Sequence, residues 1–149
     1  MTEIGFYHLQ RSPLEEALPR LLEKALGAGM RAVVRAPNEA EVERLVQQLW
    51  LYDPGAFLPH GSARDGHAAL QPIYLTAADE NPNGADLLAQ VGGAEVAEIG
   101  GFKRCLDLFD GNDEDQLTAA RARWKRYQAA GHQLAYWQQK PNGGWERKV

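Results

Sequence analysis

An α/β domain with a mostly parallel sheet is the fold class this sequence predicts, and three observations predict it. Short β-prone segments alternate with helical ones, and the first connections span only a few residues. That order favours parallel strands joined by helical crossovers. Helix start signals stand where each helical period begins. The chain has 149 residues, 44% hydrophobic and 24% charged, a size and balance that fit one domain able to bury a core without disulfides or metal.

Residues 4–9 are aromatic-rich and β-prone and predict a first strand. Ser12, Pro13 and Glu15 then combine a capping hydroxyl, a proline at the first helical position and a glutamate three residues after the cap. Leu14, Leu18, Leu21, Leu22, Ala25 and Leu26 recur at helical spacing, and Gly27 and Gly29 supply the stop. Pro19 leaves two options, a kink there or a helix that begins there.

Residues 31–36 predict a second strand centred on Val33 and Val34. Asn38 and Glu41 form a second capping pair, and Val42, Leu45, Val46 and Leu49 make one apolar stripe on a helix ending near Trp50. Residues 59–72 read as a loop, 73–76 as a strand and 81–84 as a turn. Two more strands are expected at 86–90 and 104–109, while Gly92, Gly93, Gly100 and Gly101 between them stay unassigned.

Residues 113–130 carry the clearest helix, with Asp113 and Gln116 as a cap pair and Gly131 as the stop. Acidic side chains crowd its first turn and basic ones its later turns, as the helix dipole favours. A final strand is expected over 132–137. The prediction is one domain over residues 1–139 and a turn-like, mobile tail over 140–149.

The formal net charge of −4 argues against a protein whose whole surface grips a nucleic-acid backbone, and leaves room for a local basic patch. Cys105 is the one cysteine, so no internal disulfide can form and a reducing compartment is consistent. It lies in an apolar run, which favours a small buried hydrophobe over a reactive thiol. The N-terminus lacks a secretory pattern, and no apolar run approaches the roughly 20 residues that cross a bilayer. A cytoplasmic protein with no membrane association is expected.

The sequence carries few signals of catalytic chemistry. The first strand runs into Gln10-Arg11-Ser12-Pro13 rather than a glycine turn, and no P-loop spacing occurs. His8, His60, His67 and His132 form no close pair at helical spacing. His60, Asp65 and His67 share one loop and read as solvent-facing or locally hydrogen-bonded. Ser12 suits a helix cap, and Ser62 lacks a nucleophile elbow. No catalytic residue, metal or cofactor is expected.

Two segments stand out as surface candidates. On the 113–130 helix, Leu117, Ala120, Trp124 and Tyr127 share one face; Arg121, Lys125 and Gln128 share an adjoining one, with Arg123 and Arg126 further round. This is either a solvated basic helix or a cationic stripe beside an aromatic rim. The second form suits a short peptide with an acidic, hydrophobic end. The stretch from Leu49 and Trp50 to Phe57, Leu58, Pro59 and His60 combines large apolar side chains with a turn, and on its own reads as a cap over the sheet.

Phe6-Tyr7, the Val33-Val34 strand, Leu49-Trp50 with Phe57-Leu58-Pro59-His60, and Arg121-x-Arg123-Trp124-Lys125-x-Tyr127 near the C-terminus together resemble the chi subunit family of DNA polymerase III. The likeness spans essentially the whole chain in size and element order. It implies a three-layer α/β domain of nucleotide-binding-like topology without a nucleotide site. It also implies an accessory subunit, not an enzyme by itself, that joins the clamp-loader complex through the psi subunit. Its second implied partner is the acidic, phenylalanine-ended tail of single-stranded DNA-binding protein, so that its association with DNA is indirect.

Carried over by position, Trp50, Phe57, Arg121, Trp124 and Lys125 would form the tail pocket, with Phe109 completing the apolar floor. Arg121 and Lys125 would hold the carboxylates and the aromatics would wall the pocket. Trp124 stands where the family often has tyrosine, and Leu117 where it is often basic. The psi-binding face is not placed by residue. Two other classes remain: an α/β module binding single-stranded DNA directly, and a nucleotide-dependent enzyme.

Overall fold

The computed structural model describes every residue except Met1, Arg11, Ser12, 53–58, Glu98, Gly143 and Val149. The expected capping role of Ser12 therefore falls outside the described residues. In chain order the elements are β1 (Glu3–Leu9), α1 (Leu14–Gly27), β2 (Ala32–Arg35), α2 (Glu39–Leu51), β3 (His60–Ser62), β4 (Ile73–Thr76), β5 (Leu87–Val91), β6 (Arg104–Asp110), α3 (Glu114–Ala129), β7 (Gln133–Gln139) and β8 (Trp145–Arg147). The strands form one eight-stranded sheet in the order β3-β4-β2-β5-β6-β1-β7-β8. Neighbours run parallel except β7 and β8. This is the mixed, mostly parallel α/β sheet that the sequence predicts.

Because side chains alternate across a strand, each strand supplies both faces. Tyr7 and Leu9, Ala32 and Val34, Leu106 and Leu108 enter one core, with Leu18, Leu22, Val42 and Leu45 from α1 and α2. Ile4 and Phe6, Val33, Leu88, Cys105 and Phe109 enter the other, with Ala120 and Tyr127 from α3. Helices thus cover both faces, which explains why the central strands are mostly apolar, with buried exceptions at His8, Gln90 and Asp107.

The caps follow their chemistry. The Asn38 side chain accepts from the Glu41 N–H at 2.9 Å, and that of Asp113 accepts from Asp115 and Gln116 at 2.9 and 3.2 Å. At α1, Pro13 is the residue before the helix rather than its first residue, and Pro19 lies inside it, buried. Gly131 takes φ +87°, the left-handed conformation that ends α3 without a Cβ penalty.

Two expectations change. Residues 59–72 are not simply a loop: they include β3, paired with β4 at the sheet edge, and two single-turn 3₁₀ segments, Ala63–Asp65 and Ala68–Leu70. A three-residue strand shows no readable periodicity, and its pairing comes from a distant segment. His60 within it is buried, its Nε2–H donating to the Val46 carbonyl at 3.0 Å. The turn-like tail also contains β8, antiparallel to β7. Trp145 sets its ring edge against Tyr7 at 5.1 Å, and Tyr7 stacks on Trp137.

Candidate functional site

On the α3 face of the sheet, α3 and β7 leave a cavity of about 550 Å³ over β1 and β6. Its floor is aromatic. Phe109 from β6 and Phe6 from β1 meet at 6.4 Å between ring centres, and Trp124 closes on Phe6 at 5.3 Å, edge to face. Tyr136 from β7 stands 6.4 Å from Trp124 at an interplanar angle of 80° and forms the opposite wall. Leu117 and Ala120 supply the aliphatic side.

The rim is cationic. Arg121 and Lys125 lie one turn apart on the exposed side of α3, and both border the cavity. Neither makes an ion pair among the described residues. The other two arginines of this helix are engaged. Arg126 pairs with Glu95 at 2.7 Å. Arg123, grouped with the outer basic residues in the sequence reading, points inward at 2% exposure. Its Nε and Nη2 donate to both oxygens of Asp107 at 2.7 and 2.8 Å. Gln90 donates to the same carboxylate and lies 3.1 Å from the Tyr127 hydroxyl. Burial pushes both charges of the pair toward neutrality. The two-pronged contact and a third N–H from Gln90 oppose it: burial still leaves the Asp107 pKa raised, while the Asp107 carboxylate holds the Arg123 pKa up against burial.

The structure therefore gathers Phe109, Arg121, Trp124 and Lys125 around one cavity. It does not bring Trp50 there. Trp50 lies on α2, in the layer across the sheet, 58% exposed, with its ring 4.3 Å from that of His60. The grouping of Trp50 with Arg121 and Trp124 in a single pocket is corrected accordingly. A sequence motif reports which residues recur, not which side of a sheet its helix covers. Phe57 lies outside the described residues.

Phe6, His8 and Tyr136, from the strands of the cavity wall and floor, are among the lining residues absent from the sequence reading of the pocket. The period-2 alternation already put Phe6 and His8 on one face of β1. Register supplies the rest, since His8 lies opposite Phe109 on one side and Gln138 on the other. The Tyr136 hydroxyl and His8 Nδ1 share a hydrogen bond. Burial lowers the His8 pKa; Arg121 acts the same way, while the Gly111 backbone and Asp110 oppose it.

Cys105 is fully buried, and burial pushes its thiol well up, which fits the inert reading. Among the described residues no group of three or more His, Cys, Asp or Glu side chains is placed to hold a metal ion. Among them, too, no helix is long and apolar enough to cross a membrane.

Fold and site together define a single-sheet α/β protein, helices on both faces, with an aromatic cavity rimmed by two cations that have no ion-pair partner among the described residues. Residues 1–135 match the family model described as "DNA polymerase III chi subunit, HolC". The chain is also 32% identical over 109 residues to a protein of Rickettsia prowazekii (strain Madrid E) named "Probable DNA polymerase III subunit chi". That match covers 73% of this chain and 66% of the relative's own length, just under two thirds. The chain belongs to the DNA polymerase III chi subunit family, an accessory-subunit family of DNA replication.

Proposed function

We propose that this protein is a non-catalytic bridge of the replicative polymerase. It binds the psi subunit of the clamp-loader complex on one side and the acidic C-terminal tail of single-stranded DNA-binding protein on the other. It works in the cytoplasm, and its association with DNA is indirect. The observation that carries the tail-binding half is the pairing of an apolar cavity of about 550 Å³ with Arg121 and Lys125, two cations that make no ion pair among the described residues. An aromatic side chain would enter between Trp124 and Tyr136 over the Phe6–Phe109 floor. The neighbouring carboxylates would meet Arg121 and Lys125.

A bridge needs two surfaces. Trp50 and Leu51, 58% and 73% exposed, leave apolar side chains uncovered on α2, in the layer across the sheet from the cavity. This separation supports two partners held at once.

The competing readings find less support. A crevice at the carboxyl ends of β1 and β6, where α/β folds hold nucleotides, is lined by Glu15, Glu41 and Asp110. Its Arg44 is already paired with Glu15 and Glu41, so the field there repels phosphate. Direct binding of single-stranded DNA through α3 loses Arg123 to the interior. That leaves a shorter basic stripe than the phosphate backbone rewards.

The test is fluorescence anisotropy of a labelled acidic, phenylalanine-ended peptide titrated with the protein. Saturable binding, weakened about tenfold or more in both Arg121→Ala and Trp124→Ala and reduced by salt, is the expected result. Binding indifferent to both changes would move the site elsewhere, and no binding would remove the bridge.

A further inference from the structure

His8 is an unusual floor residue for an apolar cavity. It is 8% exposed, and its imidazole lies 5.1 Å from the Phe109 ring. One ring nitrogen, Nδ1, is engaged by the Tyr136 hydroxyl. The other, Nε2, faces the Gly111 backbone with no well-formed hydrogen bond. A Cβ at residue 111 would overlap the imidazole, so glycine there leaves room for this ring. Both His8 and Tyr136 line the cavity that Arg121 and Lys125 rim.

We infer that His8 and Tyr136 act as a proton-linked donor in the cavity wall, one that strengthens anionic-peptide binding as His8 gains a proton. The inference rests on the reading of the cavity as an acidic-peptide site. With a neutral imidazole, Nδ1 accepts the phenol proton, and Tyr136 Oη turns only lone pairs toward a ligand. A protonated imidazole has no acceptor left. Nδ1–H then donates to Oη, and the phenol proton is free to point at a carboxylate in the cavity. No bond to carbon changes; one proton is taken from solvent as the anion binds.

The charged groups around His8 favour such a switch. Arg121 from α3 opposes protonation in the empty cavity, while Asp110 at the end of β6 favours it. β7 contributes the Tyr136 phenol, whose pKa burial raises so that it remains a donor. A ligand carboxylate beside Arg121 offsets the guanidinium charge and makes the imidazolium easier to form. By linkage, affinity rises as pH falls through the His8 pKa of the complex, and levels off below that of the free protein. A difference of one pKa unit corresponds to about a tenfold change in affinity.

The test uses an N-acetylated acidic, phenylalanine-ended peptide, with its affinity measured from about pH 8 to 5.5, above the range where its own carboxylates titrate. The wild-type protein should bind roughly 3–10-fold tighter at the acidic end. This dependence should vanish in both His8→Gln and Tyr136→Phe, whatever their affinity at pH 8. NMR titration of the His8 imidazole in the wild-type protein should show its pKa rising when peptide is added. An unchanged His8 pKa, a flat wild-type profile, or a pH dependence that survives His8→Gln would overturn the inference while leaving the peptide site intact. Failure of the wild-type protein to bind at any pH would remove the site and the inference together.

Discussion

Arg123 and Arg121 are two positions apart on one helix and have opposite fates. A rotation of about 200° along an α-helix carries the first inward and leaves the second at the cavity rim. Buried, Arg123 joins Asp107, Gln90 and Tyr127 in a network that ties α3 to β5 and β6. Removing one partner strands the other charge in a low-dielectric interior. Asp107→Ala should therefore cost about 3–5 kcal/mol in urea unfolding at pH 7. Arg126→Ala, which breaks the more exposed pair with Glu95 and a distant guanidinium contact over the Tyr127 ring at 6.0 Å, should cost about 0–1 kcal/mol. Equal costs for the two substitutions would mean that the interior pair is hydrated.

At the scale of elements, β8 has a structural role although, like β3, it is only three residues long. It pairs only with β7, at the end of the sheet, and its Trp145 leans on Tyr7. Gly5 makes room for that arrangement, because a Cβ there would come 3.0 Å from the Tyr7 ring. Trp145 is half-buried rather than enclosed. Trp145→Ala should cost on the order of 1–2 kcal/mol, below the ~3–5 kcal/mol of a fully buried aromatic. A thermal midpoint unchanged by this substitution would show that residues 140–149 are as mobile as their turn-rich sequence suggests. The longer helices owe less to such contacts. α2 and α3 each begin on a side-chain cap and present one apolar stripe, so local chemistry and burial agree.

Across the whole molecule, the packing of phenols and the thiol sets an alkaline limit on stability. Burial raises the pKa of Tyr7, Tyr74 and Tyr136, pushes Tyr127 up to about 12, and lifts Cys105 as well. Unfolded phenols lose their protons near pH 10 and an unfolded thiol near pH 8.5. Between those values and the folded ones, the unfolded chain holds fewer protons than the native chain. Stability therefore falls as pH rises, beginning above about pH 8.5 and steepening past pH 10. Tyr127 alone accounts for roughly 2–3 kcal/mol by pH 12. Thermal midpoints measured from pH 8 to 11.5 should show this decline, and a flat profile would contradict the burial of these groups.

The sequence by itself determined the class and most of the elements. Period-2 and period-3.6 patterns are local, and Asn38, Asp113 and Gly131 mark helix ends through bonds that span only a few residues. The Val42, Leu45, Val46 and Leu49 stripe is buried as its spacing required. The Arg121, Trp124 and Lys125 part of the cavity was legible for the same reason, since three residues on one helix face stay together in any fold. The tertiary structure decided everything that joins distant segments: the edge pairing of β3, the docking of β8, and the inward turn of Arg123 toward Asp107. It also decided that Trp50 lies across the sheet from Trp124 and that His8 and Tyr136 complete the cavity wall. Those outcomes depend on strand order and register, which are set by the sum of many long-range contacts and leave no mark at any single position in the chain.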